Sequence, residues 1–212
     1  MQEYLQATPF FNYHHPQVVE FYERLPLYSN VPDIENAVTI YYAVRDTFRY
    51  ETSAAFKGVP TLKASFCFAE QQGYCLPKSA LMIALCRLAG IPARIGLADV
   101  KNHLANPQLL EKLQTDIFSM HGYVDAFLQG KWVKATPAFD IALCQRHHIN
   151  ALEFNGVNDS IFHEFTEEGN KHMEYLVDHG TFSDMPVNFI LENFSKHYPH
   201  LAHLFDVEDK QA

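Results

Sequence analysis

One stretch of this sequence, from Leu76 to Ala89, is apolar on nearly every helical face and constrains the fold more than any other segment. It reads LPKSALMIALCRLA, with Pro77 in the first turn, where a helix tolerates proline. Gly90 and Pro92 follow and end the helix. Because a helix that is apolar all round belongs in a protein interior, the sequence predicts a central helix on which the rest of the chain packs.

The segments around this helix favour an α+β fold in which the helix packs on an antiparallel sheet. Residues 94–100 read as a strand, and residues 121–128 and 131–136 as a hairpin closed by Gln129 and Gly130. Helical patterns cover three further segments: residues 33–51, residues 106–114, and residues 186–205 with a break near Pro199.

No repeat, low-complexity tract or Gly/Ser linker marks a domain boundary. We therefore predict one domain over residues 1–212, with a core at about residues 33–140. Residues 1–32 are interrupted by prolines and are expected to form an extended arm with at most short helices. Residues 141–212 would be a C-terminal elaboration, of which residues 141–184 look mixed and turn-rich.

Charge and cysteine spacing exclude several classes of function. The formal net charge is −9, without a cluster of Lys and Arg, so neither nucleic acid nor a membrane is expected as a partner. The four cysteines form no CxxC pair, which argues against a zinc ribbon or a thioredoxin-like site. We expect no cofactor and no bound metal. Without a secretory signal, free thiols in a reducing cytoplasm are expected.

Cys75 stands directly before the central helix and is the best candidate for a nucleophile. Unpaired N–H groups and the positive end of the helix dipole would lower the pKa of its thiol. The same N–H groups could hold an oxyanion formed when the sulfur attacks a carbonyl. The alternative is a buried cysteine that packs as a small hydrophobic residue.

His121 opens the first strand of the hairpin, at a strand end where a sheet presents groups to a cleft, and could serve as the base for Cys75. By alternation, His121 and Asp125 share one face of the strand. The alternative is an ordinary surface histidine, because the chain contains 12.

Two ordered motifs resemble the core of transglutaminase-like proteins. The first is Gly73-Tyr74-Cys75 with an apolar helix and Arg87-Leu88-Ala89-Gly90-Ile91-Pro92-Ala93-Arg94, and the second is His121 with Asp125, then Gly130, Trp132 and Val133. Tyr41 to Tyr50 resembles the helix that often precedes this core. The resemblance spans about residues 33–140. It implies a papain-like fold in which Cys75 attacks a carbonyl and His121 takes its proton.

The residue that should hold the His121 ring departs from the family pattern. In the family, an Asp follows the tryptophan by four positions, and here that position is Thr136. Asp140 is the nearest carboxylate beyond it, and Pro137 could bend the strand so that Asp140 folds back. Asp125 is less attractive, at roughly 13 Å along a regular strand. The predicted catalytic set is therefore Cys75, His121 and Asp140, with Thr136 as the alternative to Asp140.

Four neighbouring side chains carry weaker expectations. Gln71 and Gln72 could offer an oxyanion donor, although surface polar residues are the default reading. Lys78 lies one turn after Cys75 and could favour the thiolate, although a solvated lysine is the ordinary expectation. Arg94 is expected to pair with a carboxylate beneath the sheet.

The resemblance implies an enzyme that acts on an amide, ester or thioester through a Cys75 acyl intermediate. Hydrolysis would make it a peptidase or amidase, and an amine acceptor would make it an acyltransferase. The short chain, without further domains or a calcium loop, favours hydrolysis. The alternative is a non-catalytic transglutaminase-like module that binds a peptide or protein partner. A peptide, a protein or a small acyl compound is the expected substrate, and the oligomeric state stays open.

Overall fold

The computed structural model describes residues 1–29, 33–103, 105, 107–161, 168 and 172–204. The α-helices in that part of the chain are α1 (Pro16–Glu23), α2 (Asp33–Thr47), α3 (Phe66–Glu70), α4 (Cys75–Leu88), α5 (Pro107–Leu113), α6 (Ile141–His147) and α7 (Val187–His197). The strands are β1 (Arg49–Tyr50), β2 (Gln72–Gly73), β3 (Ala93–Asn102), β4 (Ile117–Leu128), β5 (Lys131–Ala135) and β6 (Met173–Phe182). Short 3-10 turns join several of them.

The main sheet has the strand order β5-β4-β3-β6 and is antiparallel at every pairing. The predicted hairpin is confirmed as β4 and β5. The expectation that His121 opens its first strand is wrong, because β4 begins at Ile117 and His121 lies inside it. Gln129 and Gly130 close it with φ values of 49° and 85°, the left-handed conformation that a two-residue hairpin turn requires. β1 and β2 form a separate short parallel pair.

The central helix α4 confirms the strongest sequence prediction. Its residues from Cys75 to Arg87 are all buried, and the helix packs against β4, β3 and α2. The predicted α+β fold, with a buried helix on an antiparallel sheet, is therefore observed. Arg87 is accommodated in the interior because its guanidinium donates to the carbonyl oxygens of Ala93, Gln6 and Ser183.

Two further elements differ from the sequence expectation. α2 ends at Thr47 and not at residue 51, because Arg49 and Tyr50 pair with β2 instead. β6 lies within the segment expected to be mixed and turn-rich. Its register on β3 shifts twice, so its side chains do not alternate evenly between the two faces and no strand pattern is visible in the sequence.

One cluster of buried apolar side chains draws on the whole described chain. Phe11 and Val18 come from the N-terminal arm, Leu81 from α4, and Phe154 and Ile190 from the C-terminal part. The division into arm, core and elaboration stays a prediction. Among the described residues, no helix is both long and apolar enough to cross a membrane.

Candidate active site

A cavity of about 600 Å³ opens beside the N-terminal end of α4, and it brings the three predicted catalytic residues to one place. Cys75, His121 and Asp140 all line it. Of the four cysteines, all of them free thiols, Cys75 alone lines the cavity. The sequence therefore identified side chains that share a cavity, although they come from α4, β4 and the residue before α6.

Cys75 is the first residue of α4, after the extended residue Tyr74. Burial raises the pKa of its thiol to about 11, while the backbone N–H groups of Gly122, Leu76 and Cys75 itself act in the opposite direction. The N–H groups expected from the sequence are thus present. The expectation of a lowered pKa is wrong for the folded chain, because removal from water outweighs these N–H groups.

Gly122 explains how β4 comes so close to the start of α4. A Cβ atom built on it would lie 2.8 Å from Leu76 Cδ2 and 3.4 Å from Leu76 Cα. The absence of a side chain therefore allows the two elements to meet. The Ser79 hydroxyl donates to the Gly122 carbonyl at 3.2 Å and fixes this contact. The same contact brings the Gly122 backbone N–H near enough to the Cys75 sulfur to oppose the rise in the pKa of the thiol.

His121 lies next to Gly122 and is 6% exposed. Burial lowers the pKa of its imidazole to about 4, so the ring is neutral at neutral pH. The ring meets Tyr175 of β6 edge to face, with the centroids 6.3 Å apart. In the part of the chain that the structure describes, no hydrogen bond is recorded for the ring. A neutral imidazole of this kind can accept a proton.

The strand that carries His121 is irregular just before it. The register between β3 and β4 shifts between Ala98 and Val100, which forms a β-bulge. In this bulge Met120 has a φ of 59°, a left-handed conformation that is uncommon for a residue other than glycine or asparagine. Its N–H donates to Asp99 Oδ1 at 3.0 Å. A bulge of this kind re-aims the side chain that follows it, here His121.

Side chains from the C-terminal part of the chain support the bulge. His179 Nε2 and His197 Nε2 lie 3.0 Å and 3.5 Å from Asp99 Oδ2. The Tyr198 hydroxyl accepts the Ser119 N–H at 2.7 Å. This group of side chains around the bulge is not visible in the sequence, since its members are spread from residue 99 to residue 198 and form no motif.

Asp140 lines the cavity, but both of its carboxylate oxygens hold backbone N–H groups. Oδ1 accepts from Leu143 and caps α6, and Oδ2 accepts from Tyr50 at 2.8 Å. Within the described residues no hydrogen bond joins Asp140 to His121. The structure thus gives Asp140 a capping role, and an orienting role for it stays a prediction that requires these bonds to rearrange.

Thr136 occupies the position where the family has its Asp. Val124 pairs with Ala135, and extension of this register places Thr136 on the face of His121, diagonally across the two strands. Thr136 is 2% exposed, and its hydroxyl has no hydrogen-bond partner of normal geometry among the described residues. It lies near enough to the Tyr175 hydroxyl to offset part of the rise in pKa that burial causes there.

The other predicted neighbours have structural roles. Lys78 is fully buried, so the expectation of a solvated lysine is wrong, and its ammonium donates to the carbonyl oxygens of Arg45 and Phe48. Burial lowers the pKa of Lys78 to about 8. Lys78 thus contacts the end of α2, and it is not among the causes of the pKa shift of the Cys75 thiol.

The Gln71 amide donates to Phe68, and the Gln72 oxygen accepts from Arg49. Neither glutamine is among the residues found to line the cavity. The backbone N–H groups at the start of α4 are therefore the donors that we expect for an oxyanion.

The predicted carboxylate partner of Arg94 is confirmed as Asp125, with an N···O distance of 2.7 Å. This pair accounts for the acidic residue four positions after His121. In the described residues, no group of three His, Cys, Asp or Glu side chains has the arrangement of a metal site.

Comparison with known proteins identifies the family of the chain. The model of the transglutaminase-like superfamily matches residues 28–137, just over half of the chain. The chain belongs to the transglutaminase-like superfamily. Cys75, the helix α4 and His121 all lie within the matched residues, whereas Asp140 lies beyond them.

One solved structure that is similar to this chain is the crystal structure of a candidate cysteine protease from Cytophaga hutchinsonii. The two chains are 18% identical, with a TM-score of 0.49. The alignment covers 85% of this chain and 46% of that one, so this chain spans less than half of the similar structure. No curated protein sequence matches the chain.

Proposed function

We propose that this transglutaminase-like protein is a thiol-dependent enzyme that acts on acyl groups, with Cys75 as nucleophile and His121 as base. The observation that carries the proposal is that both side chains line one cavity, at the point where the Gly122 backbone approaches the start of α4. Membership of the superfamily supports it, because both residues fall on the matched motifs.

In the folded protein at neutral pH both groups are neutral, since burial raises the pKa of the Cys75 thiol and lowers that of the His121 imidazole. Activation therefore proceeds by general-base catalysis and not from a preformed ion pair. As the sulfur attacks the carbonyl carbon, the thiol proton passes to a ring nitrogen of His121. The imidazolium and the developing negative charge form together and stabilise each other away from water.

Backbone N–H groups at the start of α4 would hold the oxyanion of the tetrahedral intermediate. The intermediate collapses to a thioester on Cys75 as His121 gives its proton to the leaving amine, alcohol or thiol. Water then attacks the thioester and regenerates the thiol, which makes the enzyme a peptidase or amidase. An amine that replaced this water would give acyl transfer.

The experiment is a screen of peptide amides, esters and thioesters with the wild type, Cys75→Ala and His121→Gln. We expect turnover by the wild type, a loss of at least about 100-fold in both variants, and a wild-type mass increase equal to the acyl group. Added amine would divide the product between hydrolysis and transfer. Equal rates for the wild type and Cys75→Ala would refute the proposal.

A second candidate is a non-catalytic module that binds a peptide or protein partner. The observation that favours it is Thr136, a neutral residue at the position of the family's Asp, which offers an imidazolium no carboxylate at that position. Binding of an acyl compound with equal affinity by the wild type and Cys75→Ala, together with no turnover, would favour this candidate over the enzyme.

A further inference from the structure

The cavity beside Cys75 has one predominantly apolar side. Aliphatic and aromatic side chains from α5, β4, β6 and α7 form it: Leu109, Leu113, Phe118, Met120, Met173 and Phe194. The charged residues that line the cavity lie elsewhere, near β1 and the end of α6, and include Arg49, Glu51 and the exposed Arg146. The apolar lining residues thus come mainly from α5, β4, β6 and α7, and these charged ones come from other elements.

We propose that substrates of Cys75 place a bulky apolar group, aromatic or branched aliphatic, against this apolar side. The proposal rests on the proposed function, since it names the substrate class of the same site. Burial of apolar area is favourable in proportion to the area removed from water, and a cavity of about 600 Å³ accommodates more than a small acyl group. A charged group there would lose its hydration without gaining an opposite charge.

Ser119 gives this site a polar anchor. It is 6% exposed, lines the cavity, and its hydroxyl has no hydrogen-bond partner among the described residues. A buried hydroxyl without a partner is costly, and this one is enclosed in its present rotamer. Rotation about χ1 would turn it towards the cavity, where a ligand that supplies a partner removes this cost. The preferred group therefore carries one hydrogen-bonding atom on its apolar body, as a hydroxyphenyl group does.

The test uses electrophiles that label Cys75 without any turnover. Peptide mapping of the full chain measures how fast Cys75 is labelled by each of three compounds: chloroacetamide, its N-phenethyl derivative and its N-(4-hydroxyphenethyl) derivative. We expect the phenethyl compound to label Cys75 at least about 10-fold faster than chloroacetamide, after correction for their rates with denatured protein. The hydroxyl should add about 5-fold, and Ser119→Ala should remove that gain alone.

Two leucines on α5 provide a matched control. Leu109 lines the cavity, whereas Leu110 is half-buried on the same helix and is not among the residues that line it. Leu109→Glu should bring the ratio of phenethyl to chloroacetamide labelling close to 1, and Leu110→Glu should leave it unchanged. If Leu109→Glu fails to fold, Leu109→Trp, which fills the cavity, takes its place.

A wild-type ratio near 1, or the same fall in both leucine variants, would overturn the inference. These labelling ratios are independent of the acyl-substrate screen. A high ratio of phenethyl to chloroacetamide labelling without turnover would support the apolar site and reject the proposed enzyme. Turnover with a ratio near 1 would support the enzyme and reject the apolar site.

Discussion

The backbone N–H of Met120 donates a 3.0 Å hydrogen bond to the carboxylate of Asp99. This bond fixes a residue with a φ of 59° directly before His121. A left-handed conformation of a non-glycine residue costs about 1–3 kcal/mol and persists only where the surroundings enforce it. Since His179 and His197 flank the other carboxylate oxygen, β6 and α7 act through Asp99 on the strand that presents the proposed base.

Replacement of Asp99 should therefore affect His121 through the bulge. Asp99→Asn keeps an oxygen that can accept the Met120 N–H, whereas Asp99→Ala leaves this buried N–H unpaired. We expect Asp99→Ala to lower the free energy of unfolding by about 2 kcal/mol and kcat at least about 10-fold, with little change in KM. Asp99→Asn should retain most of the stability and most of kcat. Urea unfolding and steady-state kinetics measure these effects. Equal losses in the two variants would show that Asp99 acts by its charge.

Gly96 on β3 should tolerate no side chain. A Cβ atom placed on it would lie 2.0 Å from Tyr123 Cζ, inside the ring that covers this glycine. Because Tyr123 is 1% exposed and its ring cannot move freely, Gly96→Ala should reduce the free energy of unfolding by roughly 2–3 kcal/mol. Urea denaturation checks the value. In a double-mutant cycle with Tyr123→Ala, the two costs should fall short of additive, and strict additivity would locate the strain elsewhere.

The neutral state of His121 should make stability depend on pH. Its pKa is about 4 in the folded protein and about 6.5 in an unfolded chain, so the unfolded state binds the proton more tightly. Stability should be full above pH 6.5 and fall as the pH drops toward 4, by roughly 2 kcal/mol between pH 7.5 and pH 5 from this residue alone.

His172, whose pKa burial also lowers to about 4, adds to the same loss. His121→Gln should remove the part of this stability loss that comes from residue 121 and leave the part that comes from His172. Urea unfolding of both proteins at pH 7.5 and pH 5 gives the comparison. An unchanged pH dependence in His121→Gln would mean that the ring is protonated or solvated in the folded state.

Local sequence patterns predicted α4, the β4–β5 hairpin and the positions of Cys75 and His121, because each depends on neighbouring residues or on a short motif. The features that were missed depend on contacts across the fold. Lys78 is buried since Arg45 and Phe48 offer carbonyl oxygens from another helix end. The sign of the Cys75 pKa shift likewise follows from how deeply the packed chain encloses the thiol.

Thr136 is the position at which a single change could bring the site closer to the family pattern. It follows β5 directly, and extension of the β4–β5 register places it diagonally across from His121, buried and with its hydroxyl unpaired among the described residues. In Thr136→Asp, a carboxylate there should stabilise the imidazolium and raise the pKa of His121. A higher pKa makes the transfer of the thiol proton easier, so labelling of Cys75 by chloroacetamide at pH 7 should rise about 10-fold.

The same substitution should cost stability, about 1–3 kcal/mol, because it places a carboxylate at a position that is 2% exposed. Thr136→Asn is the matched control, with the same shape and no charge. The measurements are the labelling rate from pH 5 to pH 9 and the free energy of unfolding from urea denaturation. An equal gain in labelling for Asn and Asp would assign the effect to a hydrogen bond and not to charge. No gain in either would mean that position 136 does not reach the His121 ring, and that Tyr175, in contact with the ring, holds it in place instead.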